Sequence, residues 1–144
     1  MQPGKTIDQL QVGETAAFAK TVTETDVYLY AGVSGDFNPA HVNEVYASNT
    51  FFKGRIAHGM LSAGFISATL ANQLPGPGTI YLKQDLSFRA PVRIGDTITA
   101  QVEVLELQVE KNRVRMKTTC TNQEGTVVLD GEALVMPPKA AITG

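Results

Sequence analysis

The 144-residue chain carries one cysteine, two histidines and no tryptophan. Its lone Cys120 excludes an intramolecular disulfide, and no histidine or second thiol lies near it in sequence to suggest a metal site. It sits in the strand-like run "RVRMKTTC" and reads as a buried apolar thiol. Twelve basic against fourteen acidic residues give a formal net charge of −2 and a pI near 5.6. With no lysine or arginine cluster, neither a nucleic-acid footprint nor a polybasic membrane patch is indicated. A membrane span needs about 20 apolar residues in a row, and no run reaches that length. The N-terminal "MQPGKTIDQL" lacks the apolar core of a signal peptide and the C-terminal "AAITG" matches no lipid anchor, so the expected compartment is the reducing cytoplasm. Repeats, low-complexity tracts and polar linkers are likewise missing. What remains is a chain, 43% hydrophobic, suited to one domain over residues 1–144.

Its patterning changes along the length. Residues 14–23, "ETAAFAKTVT", read as a strand diluted by alanine. "TETD" then offers Thr23 as an N-cap with Asp26 three residues on, opening a helix to about Val33 that Gly35 breaks. Asn38 followed by Pro39 is an N-cap with proline at the first helical position, predicting a second short helix through about Ala47. Residues 59–74, "GMLSAGFISATLANQL", hold no charge and are closed by "PGPG". Apolar residues lie all round that helical wheel, which predicts a helix buried on every side.

From Gly78 onward the sequence reads as strand. "TIYLKQDLSFRAPV" and a "RIGD" turn lead into "TITAQVEVLELQVE", where Ile98, Ala100, Val102 and Val104 share one face. Leu105, Leu107 and Val109 take the opposite phase, which predicts a bulge near Val104. "RVRMKTTCTN" alternates with Val114, Met116, Thr118 and Cys120 on one side, and "GTVVLDGEALVMP" follows with Gly131 as an expected bend. An antiparallel sheet must cover its apolar face, and a charge-free helix must be covered too. The joint solution is an α+β hot-dog fold, an antiparallel sheet wrapped around a central buried helix.

Two stretches carry chemistry. "SGDFNPAHVNE" puts Asp36 in a loop and His41 on the first turn of the following helix, so an acid and an imidazole can converge on one water and divide acid and base roles. Asn38, between them, either orients Asp36 or a bound water, or serves as the N-cap of the helix that carries His41; the cap is the favoured role. "IAHGML" places Gly59 where the apolar helix begins, with free N–H groups and the positive dipole end; a substrate carbonyl can approach the Gly59 amide there. His58 reads as structural or as a pocket wall. Each of these residues is also ordinary turn, cap or helix-entry chemistry.

Together, "YAGVSGDFNPAHVNEVYA", "GRIAHGML" and "LSFRAPVRIGDTITAQVEV" resemble the MaoC-like, (R)-specific enoyl-CoA hydratase family over nearly the whole chain. The resemblance implies hydration of trans-2-enoyl-CoA to (R)-3-hydroxyacyl-CoA by a homodimer with sites at its interface. It places the catalytic aspartate on Asp36, the catalytic histidine on His41 and the oxyanion-hole amide on Gly59. It implies no metal or redox cofactor. A small hydroxyl residue near the site falls on Ser67, with Ser62 matching in character only. Ala63, Ile66, Ser67 and Leu70 are the expected acyl-pocket face of the helix, and bulky Leu70 points to short or medium acyl groups. Lys53, Arg55, Lys83, Arg89 and Arg93 are candidates for the CoA phosphates. The rival readings are a dehydratase acting on acyl carrier protein, a hot-dog thioesterase, against which the Asp36–His41 pairing argues, and a non-catalytic binding subunit.

Overall fold

A computed structural model describes residues 2–140. Strand β1 (Thr15–Thr21) is followed by helices α1 (Glu24–Ser34), α2 (Pro39–Val42), α3 (Glu44–Ser48) and α4 (Gly59–Asn72). Strands β2 (Ile80–Gln84), β3 (Ser87–Phe88), β4 (Thr97–Gln108), β5 (Arg113–Thr121) and β6 (Val127–Met136) complete the chain. The sheet is antiparallel in the order β1-β4-β5-β6-β2, with β3 also on β6.

Local chemistry explains the helix boundaries. Thr23 and Asp26 form a reciprocal capping box, and Gly35, at φ 81°, ends α1 in the left-handed conformation that glycine adopts without strain. The helix expected from Asn38 to Ala47 is instead two short ones. Asn43 leaves helical geometry at φ −127° and ψ 103°, and its side-chain oxygen accepts from the Tyr46 amide, capping α3. An asparagine inside an apolar run competes with the helix it interrupts.

The sheet follows the alternation in the sequence. Ile98, Ala100, Val102 and Val104 are fully buried, as are Val114, Met116, Thr118 and Cys120. The β4–β5 register slips between Val104 and Glu106, at the phase change read from the pattern. Helix α4 packs on β1, β4, β5 and β6, burying Phe65, Ile66, Thr69 and Leu70. Each large apolar side chain so covered contributes about 1.5–3 kcal/mol.

Two expectations are corrected. The run from Thr79 to Val92 is not one strand: Asp85 turns out of it, its carboxylate accepting from the Glu132 amide at 3.0 Å, and separates β2 from β3. Nor is α4 covered all round within one chain. Met60 is 52% exposed, Gly64 is exposed, and Ala63 and Ser67 are only partly covered.

Strand β6 runs through Gly131 without a break. The glycine is needed there because a Cβ would lie 2.0 Å from the Asp85 carbonyl oxygen. Gly131→Ala must push two backbones apart, and it is expected to lower stability by about 1–3 kcal/mol, read as a shift in denaturation midpoint with unchanged slope.

Candidate active site

The loop after α1 and the entry to α4 meet at one cleft. Asp36 follows the Gly35 turn, where Ser34 Oγ accepts from its amide at 3.1 Å. The Asp36 carboxylate accepts from the Asn38 amide at 3.1 Å, and Asn38 Oδ1 accepts from the Ala40 amide at 3.0 Å. Two successive side-chain-to-backbone turns thus fix the path from the acid to the helix that carries His41. Asn38 is the N-cap of α2. Asn38→Asp preserves that cap, so it is expected to hold kcat/KM within about fivefold of wild type, because aspartate caps as well as asparagine. Steady-state kinetics checks this, and a far larger loss would give the amide a direct role.

His41 is half-buried. Its Nδ1 lies 2.7 Å from the Ile56 carbonyl oxygen; a carbonyl only accepts, so Nδ1–H donates and the neutral ring keeps Nε2 as a free acceptor. His58 is buried, 2% exposed. Its Nε2–H donates to the Asp36 carbonyl oxygen at 2.9 Å, and the two imidazoles stack at 3.9 Å. One carboxylate oxygen of Asp36 and one ring nitrogen each of His41 and His58 lie within 4.8 Å of one another. That spacing suits a small polar guest, either a water or a divalent ion, although one nitrogen of each ring is already bound to a backbone carbonyl.

These side chains line a cleft of about 460 Å³ together with Gly59, Met60, Ser62, Phe88 and Arg89. Gly59 is the first residue of α4, so its N–H has no acceptor within the helix. A Cβ on Gly59 would lie 2.6 Å from the Phe88 ring, so only glycine lets that ring close over the helix entry. Phe88 was not legible as a site residue, since its only signal was an aromatic in a strand-like run.

A family model described as "MaoC like domain" matches residues 9–126. The chain belongs to the MaoC-like domain family. An (R)-specific enoyl-CoA hydratase of Rhodospirillum rubrum is 60% identical to this MaoC-like chain over 131 residues, 91% of the chain and 90% of the relative. A 3-hydroxybutyryl-CoA dehydratase of Methylorubrum extorquens is 50% identical over 132 residues, covering 92% and 83%. The solved structure of an unliganded (R)-hydratase from Pseudomonas aeruginosa superposes with a TM-score of 0.92 at 49% identity, over 98% of this chain and 90% of that one. The MaoC-like chain thus has the hot-dog fold that its patterning implied.

The other expected site residues fall elsewhere in the MaoC-like framework. Ser67 and Ala63 do not line the cleft of Asp36 and His41; they lie in a separate groove of about 400 Å³ against Tyr81, Leu82 and Lys83 of β2. Leu70 lines neither and is core, 1% exposed. Helical periodicity accounts for this: Gly59 and Ser62 lie on the face of α4 toward the cleft, Ala63 and Ser67, four residues apart, share the face toward β2, and Leu70 points into the core. Among the five basic candidates Arg89 lines the cleft and pairs with Asp130 at 3.1 Å. Arg55 is held between Glu24 and Glu44, and its hydrogen bond keeps the Glu24 carboxyl below the ordinary range. Burial pushes the Cys120 thiol up to about 12, which leaves it protonated and inert near neutral pH.

Proposed function

We propose that this chain is an (R)-specific enoyl-CoA hydratase, adding water to trans-2-enoyl-CoA to give (R)-3-hydroxyacyl-CoA, in fatty-acid β-oxidation feeding polyhydroxyalkanoate synthesis. The observation that carries the reading is the convergence of the Asp36 carboxylate and the His41 ring, within 4.8 Å, in the cleft that also contains Gly59.

In this reading the thioester carbonyl accepts from the Gly59 N–H, which stabilises the enolate that forms as water adds at the β-carbon. Asp36 and His41 hold the attacking water. One withdraws its proton as the C–O bond forms, and that proton passes to the α-carbon, directly or through the other member of the pair, so the two act together. His41 brings a free Nε2 to this task because the Ile56 carbonyl holds Nδ1–H.

Short to medium acyl chains are supported by the size of the cleft and by the 3-hydroxybutyryl-CoA dehydratase among the relatives. Arg89 at the rim is the basic residue best placed for the CoA phosphates. A homodimer is supported by β2, which ends the sheet with Ile80, Tyr81 and Leu82 exposed, and by the open side of α4 beside it. A second copy across that edge would cover the groove of Ala63 and Ser67, which keeps both as proposed substrate-side residues in the assembly. A cytoplasmic setting accords with the single buried thiol, and no helix among the described residues is long and apolar enough to cross a membrane.

The test is the loss of the conjugated enoyl-thioester absorbance when the purified protein meets crotonyl-CoA, with chiral analysis of the product. Rapid loss giving the (R)-3-hydroxy product supports the reading. An (S) product, or turnover only of carrier-protein thioesters, would replace it.

A further inference from the structure

His58 occupies the N-cap position of α4, but its side chain does not cap the helix. It turns away, donating Nε2–H to the Asp36 carbonyl oxygen at 2.9 Å and stacking on His41 at 3.9 Å with 29° between the rings. Tyr30 packs on it at 4.7 Å. One buried side chain thus touches both residues assigned to proton transfer.

With Nε2 donating, the neutral ring of His58 presents Nδ1 as an acceptor. That atom is buried and has no partner among the described residues. Ser62 Oγ is in the same condition, on a residue 2% exposed. Ser62 lies four residues after His58, on the same helix face one turn along, and both line the cleft. The hydroxyl could have bonded back to its own helix, as Thr69 does to the Phe65 carbonyl at 2.7 Å. It does not.

Buried polar groups are seldom left unpaired, so two in one cleft point to a polar guest. Nδ1 needs a donor, and a thioester carbonyl has no hydrogen to give. A water can donate to Nδ1 and accept from the Ser62 hydroxyl, satisfying both atoms. We propose that His58 is a positioning residue for the hydration, locked in its Nε2–H tautomer by one water shared with Ser62, and that it holds the Asp36 backbone and the His41 ring in register. The role in catalysis rests on the hydratase reading of the same cleft.

His58→Phe keeps an aromatic ring on His41 and removes both nitrogens. Since a displacement of about 1 Å at a catalytic group costs on the order of 10² in rate, kcat is expected to fall by about 10² with KM changed by less than about twofold. His58→Gln, whose amide can still donate to the Asp36 carbonyl, is expected to regain about tenfold of that loss. Ser62→Ala should lower kcat by about three- to tenfold, since it removes only one partner of the water. Long-range proton–nitrogen correlation spectra of the imidazoles read the lock without reference to activity: a protonated Nε2 and bare Nδ1 on His58 in the wild type, and mixed tautomers in Ser62→Ala. Wild-type kcat in a folded His58→Phe variant, a Gln variant no better than Phe, or a protonated Nδ1 in the wild type would overturn the proposal. A wild-type protein that leaves crotonyl-CoA untouched would instead overturn the hydratase reading, while the spectra still decide the lock.

Discussion

Asp36→Asn is expected to lower kcat for hydration of crotonyl-CoA by about 10²–10⁴ while leaving the fold intact. The substitution isolates the charge. Asparagine keeps an oxygen where the Asp36 carboxylate accepts from the Asn38 amide, and the backbone carbonyl that receives the His58 Nε2–H is untouched. Asp36 is exposed, so stability should move by no more than about 0.5 kcal/mol. What disappears is a group able to take or give a proton at the bound water. The initial rate of enoyl absorbance loss at saturating substrate, with circular dichroism as the control for folding, measures the effect. A folded variant with wild-type turnover would remove Asp36 from the chemistry and leave it as a turn residue.

His41→Ala should produce a loss of the same order, about 10²–10⁴ in kcat, for a reason that a second variant can separate from structure. Alanine removes two things at once: the free Nε2 and the Nδ1–H that satisfies the Ile56 carbonyl. Leaving that carbonyl without a partner costs on the order of 1–3 kcal/mol, so some instability is expected in the alanine variant. His41→Asn restores a donor near the Nδ1 position and offers no second ring nitrogen. Its stability is therefore expected to recover, while its kcat remains as low as that of the alanine variant. Recovery of activity along with stability would show that His41 only clamps the loop to residue 56.

Much of the frame was readable because it depends on period and on local turn chemistry. Alternation in residues 97–121 named the buried face of β4 and β5, and the phase slip after Val104 located the register shift, because a strand's side chains alternate whatever lies beside it. Thr23, Asp26 and Gly35 marked the limits of α1, since caps act within a few residues. Asn43 was misread for the converse reason. A helical pattern on both sides concealed a residue whose side chain caps the next helix instead of continuing the first.

At the candidate site, the sequence by itself determined the chemical inventory: an acid, an imidazole and a glycine amide, each at the end or start of a short element where its spacing leaves it free. It also determined that the acid lies in a turn and the histidine on a first helical turn. Only the tertiary structure decided which nitrogen of His41 is free, because the deciding acceptor, the Ile56 carbonyl, lies fifteen residues away. The structure likewise showed that His58, a wall of the cleft, also touches both Asp36 and His41, and sent Ser67, Ala63 and Leu70 away from the cleft. The division has one physical cause: turns and periods are short-range properties of the chain, whereas tautomer, stacking and the direction a helix face points are set by partners that only folding brings near.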